Sequence, residues 1–312
     1  LGAQANPLEI AKESYSMSPQ TFPSTLFNDA VLYEANDGVA VIKMNQPQSM
    51  NTFSGELHSG VVVALDMASE DPSVRVVILT GSGKAFSAGG ALGAGKGKSA
   101  SDGFRAKEGS KIPPTVGAAI RNLRTGMRSS EILRSMDKPT IAAINGACAG
   151  AGFSWACACD LRFAAKSAIL RTAFASAGLS GDYGGTWTLP RIVGPAKARE
   201  LYLLNKKVGA EEAKLIGLVS DVFPDGEFMD RVLQEAKAMA QAPPLALKRI
   251  KQNLNDADHI LSFSEALDHE AERHARCGFH PDAAEAGKAF REKRLGVYSG
   301  SARREPWEMS KL

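Results

Sequence analysis

The hydrophobic pattern of the chain switches repeatedly between a strand-like and a helix-like period. Apolar residues in Val31–Glu34 and Val39–Met44 flank the turn residues Asn36-Asp37-Gly38, which predicts a β-hairpin. A helical period follows from about residue 54 to residue 68. The aliphatic run Val74–Leu79 is then typical of a strand that is buried on both faces.

The alternation continues through the middle of the chain and gives way to helices near its end. A helix is predicted over Val116–Met136 and a strand over Thr140–Ile144, with further strands near Leu161–Ala164 and Ile169–Thr172. The later helices are expected at roughly 195–204, 210–216, 228–241, 243–256, 261–276 and 282–294, with a strand near Val219–Phe223. This order predicts an α/β fold with a helical C-terminal lobe.

These elements divide the chain into four predicted segments. Residues 1–27 have little periodicity and are expected to form an extension, and residues 28–225 hold the alternating core. The helical lobe spans 226–295, and a polar tail follows over 296–312. Residues 93–115 are rich in Gly, Lys and Ser and are expected to form a mobile loop.

Three glycine-rich turns follow predicted strands and are the first candidates for a site. They lie at Gly81–Ala91, Gly146–Gly152 and Gly178–Gly185. None has the spacing of a P-loop or of a complete dinucleotide fingerprint, and a single turn of this kind is more often structural. Open α/β sheets nevertheless bind ligands beyond the carboxyl ends of their strands. Small residues there let main-chain N–H groups approach a ligand, as an oxyanion hole requires.

Composition excludes several classes of function. The 312 residues carry a net charge of only +3, with basic and acidic residues interleaved, so a nucleic-acid partner is not expected. No uncharged apolar run is long enough to span a membrane, and residues 1–25 lack the apolar stretch of a signal peptide. The four cysteines show neither disulfide nor zinc spacing, so they are expected to be reduced and mostly buried, with no metal site.

The last three residues, Ser310-Lys311-Leu312, predict a location for the protein. A terminal Ser-Lys-Leu on an exposed tail is the address that the peroxisomal import receptor reads. The preceding residues 299–306 are polar and rich in turn formers, as a free tail should be. We therefore expect a peroxisomal protein that binds this receptor through its C-terminus.

Ordered motifs over residues 30–294 resemble those of the crotonase family, the enoyl-CoA hydratases and isomerases. The matching segments are Asn45–Asn51, Val76–Gly81, Lys84–Gly90, Lys138–Gly146, Ala149–Gly152, Cys159-Asp160, Gly185–Gly194 and Phe290–Arg294. The resemblance implies a crotonase-like ββα spiral core with a helical C-terminal lobe that forms a homotrimer or a dimer of trimers. It also implies an acyl-CoA substrate, with CoA as part of the substrate and no separate cofactor.

The family's functional positions can be carried over residue by residue. Its two oxyanion-hole N–H donors fall on Gly90 and Ala151, and their role is to bind the thioester oxygen as an enolate forms. The candidate contacts to CoA are Ala88, Lys96 (or its neighbour Lys98), Phe290 and Lys293. The alternatives are that the loop lysines are simply solvated and that Phe290 packs its helix.

The acid–base positions depart from those of hydratases. The two glutamates that hydratases use to position water align with Ser154 and Phe174, neither of which titrates near neutral pH. One carboxylate remains, Asp182, in a segment over 173–187 that resembles the ring-epoxide isomerases of phenylacetate catabolism. Dienoyl-CoA isomerases also use an aspartate at this position. The resemblance therefore favours an enoyl-CoA isomerase with Asp182 as the proton shuttle.

Other interpretations of these residues stay open. Asp182 could cap a helix that begins near Tyr183, or it could be the nucleophile of a dehalogenase, although the matching upstream histidine and tryptophan are not found. Hydration or dehydration, and acyl-CoA binding without turnover, are the remaining alternatives. Solvated or capping roles are expected for all five histidines, His58, His259, His269, His274 and His280, and a structural role is expected for Asp160.

Overall fold

The computed structural model describes residues 24–90, 115–260 and 262–299, and the strands of this part form two sheets. The strands are β1 Ser24–Leu26, β2 Val31–Asn36, β3 Val39–Met44, β4 Val76–Gly81, β5 Ala85–Ser87, β6 Thr140–Ile144, β7 Ala147–Ala149, β8 Leu161–Ala165, β9 Ile169–Arg171, β10 Val208–Gly209 and β11 Asp221–Phe223. The larger sheet has the order β1-β2-β3-β4-β6-β8-β11, and the smaller has the order β10-β9-β7-β5. Pairing is antiparallel from β1 to β3 and between β9 and β10, and parallel elsewhere.

The chain moves from one sheet to the other at each repeat. Three successive strand pairs, β4–β5, β6–β7 and β8–β9, place the first strand in the larger sheet and the second in the smaller. The helices are α1 Gly55–Glu70, α2 Val116–Gly126, α3 Arg128–Ser135, α4 Ala151–Ala158, α5 Gly185–Val193, α6 Pro195–Leu204, α7 Ala210–Leu215, α8 Phe228–Ala240, α9 Pro244–Ala257, α10 Phe263–Phe279 and α11 Pro281–Glu292. This arrangement confirms the predicted α/β class and the helical C-terminal region.

The central strands of the larger sheet are buried on both faces, which explains their continuous apolar runs. Every residue of β4 and β6 is buried. On one face Val76 and Ile78 pack with residues of α8, and on the other Val77 and Leu79 join the core that contains α1 and α4. The described part of the chain contains no helix of the length and apolarity that a membrane crossing requires.

The predicted helix over Val116–Met136 is divided in two at Met127. The carbonyl oxygen of Gly126 lies 2.8 Å from Nε2 of His58 and accepts a hydrogen bond from Ser129 Oγ at 3.0 Å. The N–H of Ser130 meanwhile donates to Met127 O, a tighter turn than that of an α-helix. Glycine is a weak helix former, and this side-chain contact from α1 stabilises the break.

Other differences from the predictions are small or lie outside the described residues. β4 begins at Val76, two residues later than expected. The main-chain N–H groups of Arg75 and Val76 both donate to Gly38 O, so regular strand pairing starts only after this contact. The short strands β5, β7 and β10 were not predicted, and β1 lies within the predicted N-terminal extension. Most of the loop predicted over 93–115 and the Ser310-Lys311-Leu312 signal fall outside the part that is described.

Three of the four cysteines and Asp160 have the structural roles that the sequence predicted. Cys148, Cys157 and Cys159 are buried free thiols, and burial raises the pKa of each. Asp160 accepts hydrogen bonds from Thr140 N at 2.7 Å and Thr140 Oγ1 at 3.0 Å. It also pairs with Lys251 on α9 at 2.8 Å, which joins the helical C-terminal region to the core.

Replacing Lys251 with methionine should destabilise the fold on the order of 3 kcal/mol, because breaking a buried ion pair leaves its partner charge uncompensated. Lys251 Nζ also donates to Leu133 O at 3.2 Å and to Lys138 O at 3.0 Å, so two carbonyl groups would lose a partner as well. Urea unfolding measures the change. The control is Lys237→Met, which breaks an exposed pair with Asp37 and should cost less than about 1 kcal/mol. Equal effects of the two substitutions would contradict the buried-pair interpretation.

Candidate active site

The turn after β5 and the start of α4 touch through their main chains. A Cβ atom on Gly89 would lie 2.6 Å from Ala149 O and 2.9 Å from Ala151 N, and Gly89 has a φ of +80°. A Cβ on Gly152 would likewise lie 2.6 Å from the Cβ of Ser87. Only glycine permits this approach, so the first two glycine-rich turns of the sequence meet at one place.

Two buried polar side chains hold the first of these turns. Ser87 Oγ donates to Asn51 O at 2.7 Å and accepts from Gly89 N at 3.1 Å. The Asn51 side chain, which is fully buried, donates to Ser82 O and Ala85 O and accepts from Gln46 N. The motif segment Asn45–Asn51 therefore stabilises the turn that leads to Gly90.

Main-chain N–H groups are presented at this contact. Ala151 is the first residue of α4, and Gly150 before it has no side chain to cap the helix. The first N–H groups of a helix have no carbonyl partner within the helix, and its N-terminus carries partial positive charge. Gly90 directly follows Gly89, and a Cβ built on it would meet no described atom within 4 Å. The N–H groups of Gly90 and Ala151 thus come from two turns in close contact, which suits the binding of an oxyanion.

Asp182 lies in the third glycine-rich turn, in surroundings unusual for a carboxylate. Its Oδ1 atom is buried and has no hydrogen-bond partner among the described residues. Burial raises the pKa of Asp182 from 3.8 to about 6. Because no cation of the described residues offsets that burial, the carboxylate is poised to accept a proton near neutral pH.

The backbone of this turn is held in uncommon conformations. Gly181, Tyr183 and Gly184 all have positive φ angles, of +115°, +49° and +80°. Tyr183 is a strained position for a bulky residue. Its buried ring packs edge-on against Phe53 and Trp155, with centroids 5.3 and 6.0 Å away, and this packing stabilises the conformation.

The capping interpretation of Asp182 is wrong. Helix α5 begins at Gly185, its N-cap is Gly184, and no side chain caps it. Asp182 contributes only its main-chain oxygen, which accepts from Gly185 N at 3.1 Å. The side chain is therefore not engaged in helix capping.

The Asp182 turn packs directly on α4. A Cβ on Gly185 would lie 2.4 Å from Ser154 Oγ and 2.5 Å from the hydroxyl oxygen of Tyr202. Ser154 follows Ala151 by three residues, which is about 5 Å along a helix axis. The contact thus places the carboxylate turn close to the start of α4. Phe174 covers one side of Tyr202, with its ring stacked at a centroid distance of 6.0 Å.

The candidate CoA contacts are not all brought to this region. Ala88 lies in the first turn and donates its N–H to Met50 O at 3.0 Å, whereas Lys96 and Lys98 lie outside the described residues. Phe290 is 85% exposed near the end of α11, and Lys293 is exposed just after that helix. Phe290 is therefore not a helix-packing residue within the single chain. Its role in CoA binding, and that of Lys293, stay predictions.

A solvated or capping role was predicted for His58, and the structure supports the capping alternative, since Nε2 lies 2.8 Å from the carbonyl oxygen of Gly126, the last residue of α2. Its ring lies between α1 and the α2–α3 break, with its centroid 5.8 Å from that of Trp155 and 5.9 Å from that of Tyr183. Burial lowers its pKa. His58 is the fourth residue of α1, which packs on the core, and this position was the sequence signal for its contacts. His280 does cap α11, as predicted, whereas His269 instead contacts the Asp256 carboxylate at 3.0 Å.

Within residues 24–90, 115–260 and 262–299, no group of three or more His, Cys, Asp and Glu side chains could hold a metal ion.

Comparison with known proteins matches these features to one family. The family model described as Enoyl-CoA hydratase/isomerase matches residues 34–113 and 121–301. A 1,2-epoxyphenylacetyl-CoA isomerase of Escherichia coli is 32% identical over 86% of this chain and 98% of its own length. A probable enoyl-CoA hydratase of Rhodobacter capsulatus is 34% identical over 86% of this chain and 98% of its own.

A solved structure carries the same fold. The enoyl-CoA hydratase from Bacillus anthracis superposes with a TM-score of 0.76 at 30% identity, covering 87% of this chain and all of its own. These relatives include proteins named as isomerases and proteins named as hydratases.

Replacing Asp182 with asparagine should stabilise the protein at neutral pH. A pKa raised from 3.8 to about 6 means that the folded protein holds this proton more tightly than the unfolded chain. Stability is therefore lost as the pH rises through this window, by about 3 kcal/mol in total, since each pKa unit corresponds to about 1.4 kcal/mol. Asparagine removes that dependence. The stability difference between variant and unsubstituted protein should grow by about 2 kcal/mol from about pH 4.5 to about pH 8.

Urea unfolding at several pH values tests this expectation, and the change with pH is the quantity that counts. Asp221→Asn is the control of opposite sign, because a hydrogen bond from Lys214 lowers the pKa of that exposed carboxyl. Its substitution should become less costly as the pH falls. A stability difference for Asp182→Asn that does not vary with pH would contradict a raised pKa in the folded protein.

Proposed function

Because this chain belongs to the enoyl-CoA hydratase/isomerase family, we propose that it acts on an acyl-CoA thioester and moves a carbon–carbon double bond by proton transfer at Asp182. The observation that carries this proposal is the Asp182 turn beside α4, in which the buried Oδ1 atom of Asp182 has no hydrogen-bond partner among the described residues. A single base next to oxyanion-binding N–H groups suits a 1,3-proton shift. The E. coli relative named as an isomerase adds support.

The proposed reaction has two proton transfers. The Asp182 carboxylate removes a proton from one carbon of the acyl chain, and the electrons move onto the thioester oxygen. The N–H groups of Gly90 and Ala151 stabilise that oxyanion, and loss of one such donor typically costs about 3 kcal/mol. The protonated Asp182 then returns the proton to a different carbon, which completes the shift without net gain or loss of atoms.

The surroundings of Asp182 favour this reaction over hydration with two carboxylates. The positions that align with the hydratase glutamates hold Ser154, which is fully buried, and Phe174, whose ring is stacked on Tyr202. Neither side chain can act as an acid or a base near neutral pH. A pKa of about 6 is well suited to a group that both accepts and returns a proton.

Incubation with 3-enoyl-CoA and 2-enoyl-CoA thioesters in deuterated water tests the proposal. We expect bond migration or deuterium incorporation by mass spectrometry, and Asp182→Asn should lower the rate about 10²- to 10⁴-fold, the usual contribution of a general base. The variant should retain CoA thioester binding. The control Asp221→Asn, an exposed carboxylate on β11, should leave the rate unchanged.

The pH dependence of the rate is a second test of the role of Asp182. Because the carboxylate form is the base, kcat/KM should fall about tenfold per pH unit below a pH of about 6. A mass gain of water from the 2-enoyl substrate would instead favour hydration. The absence of any chemical change with every thioester, together with retained binding, would favour an acyl-CoA-binding protein without turnover.

The proposal includes a homotrimer built through the helical C-terminal region. Large aromatic side chains on α10 and α11 are exposed in the single chain, with Phe263 at 79%, Phe279 at 93% and Phe290 at 85%. Large apolar side chains that are exposed along two consecutive helices are typical of an interface. We expect light scattering to give three or six times the mass of one chain, and Phe279→Asp to lower that mass. A monomer before substitution would contradict the proposal.

A further inference from the structure

Phe53 is bonded to the turn of Gly90 through its main chain. Its N–H group donates to Gly89 O at 2.9 Å, and Gly89 directly precedes Gly90. The next residue, Ser54, is the N-cap of α1, and its Oγ atom accepts from Leu57 N at 3.1 Å. The main chain of Phe53 is therefore held on both sides, so its ring starts from a fixed position relative to the Gly90 turn.

The ring of Phe53 contacts both of the other parts of the site. It is buried, and its centroid lies 4.0 Å from that of Trp155, which is on α4 four residues after Ala151. It also lies edge-on to Tyr183, which directly follows Asp182, at a centroid distance of 5.3 Å. Trp155 and Tyr183 contact each other edge-on at 6.0 Å, so the three rings form a closed triangle.

The Asp182 carboxylate is positioned by the main chain of its turn more than by hydrogen bonds. Its Oδ1 atom has no hydrogen-bond partner among the described residues. The adjacent Tyr183 has a φ of +49°, a strained conformation that persists only where the surroundings hold it. Loss of the Phe53 ring would remove one of the contacts that hold Tyr183, and the turn would then relax and displace the carboxylate.

The proposed reaction makes the distance between the base and the oxyanion-binding groups critical. The N–H groups of Gly90 and Ala151 hold the thioester oxygen, which fixes the position of the acyl carbons next to it. Asp182 must then reach two carbons, the one that loses a proton and the one that receives it. A displacement of about 1 Å in such an arrangement costs about 10²-fold in rate.

We propose that the Phe53 ring is a positioning group that sets the distance between the Asp182 carboxylate and the two oxyanion-binding N–H groups. Phe53 acts through Tyr183 and Trp155 rather than by contact with the substrate. This inference rests on the proposed function of the chain as a double-bond isomerase, and it adds a residue to the machinery of that reaction.

Phe53→Leu tests the proposal, because leucine keeps the main-chain bond to Gly89 and most of the buried volume but removes the ring. Titration calorimetry with butyryl-CoA gives the dissociation constant and the number of binding sites, and bond migration in 3-enoyl-CoA gives the rate. We expect kcat per binding site to fall about 10²-fold, while the dissociation constant and the number of sites stay unchanged. The control Phe163→Leu removes a buried ring that stacks on Phe223 in the core on the other face of the larger sheet, and it should leave kcat per site unchanged.

Substitution of Tyr183 tests the same contact from its other side, and it gives a result even where Phe53→Leu does not fold. Tyr183→Leu should lower kcat per site as Phe53→Leu does, whereas Tyr183→Phe keeps the ring and should retain the rate. The two leucine substitutions combined should lower kcat per site no further than either one alone, because both remove the same contact.

The count of binding sites separates positioning from folding. Fewer binding sites with an unchanged kcat per site would mean that the ring serves folding alone, and would overturn the inference. The full kcat per site in Phe53→Leu and in Tyr183→Leu would overturn it as well, and either result would leave the proposed function intact. Absence of bond migration with the unsubstituted protein would overturn the proposed function and this inference with it.

Discussion

The close approach of Gly89 to the main chain of Ala149, Gly150 and Ala151 is the constraint on which the rest of the site depends. A methyl group at Gly89 would lie under 3 Å from both Ala149 O and Ala151 N, so no other residue permits the contact without moving one segment. The two segments end strands of the same small sheet, β5 and β7, which pair in parallel. Pairing of the strands and absence of a side chain together bring two sets of main-chain N–H groups to one place.

The other half of the site is assembled by side-chain packing. The strained backbone at Tyr183 is stabilised by its contacts with Phe53 and Trp155. Phe53 lies in the loop before α1, and Trp155 lies in α4. The His58 ring joins this aromatic cluster through its contacts with Trp155 and Tyr183. Its contact with Gly126 O stabilises the break in the helix predicted there. The position of Asp182 therefore depends on residues from four separate parts of the chain.

Much of this could be predicted from the sequence, because strand and helix periods and the order of glycine-rich turns are local signals. The hairpin at residues 31–44, the α/β class and the candidate residues Gly90, Ala151 and Asp182 followed from such patterns and from family resemblance. The break at Met127 and the burial of His58 could not, because each depends on a contact between residues 68 positions apart. The position of Tyr202 could not be predicted for a similar reason, because only the tertiary structure places its hydroxyl against the Asp182 turn.

The burial of the Asp182 carboxylate, whose Oδ1 atom has no partner among the described residues, has an evolutionary consequence. Selection for folding alone would favour neutral replacements at this position, because the ionised aspartate weakens the folded state and caps no helix. An aspartate at this position therefore cannot be explained by its contribution to folding. Its replacement by a neutral residue in a related chain would strengthen the folded state rather than damage it.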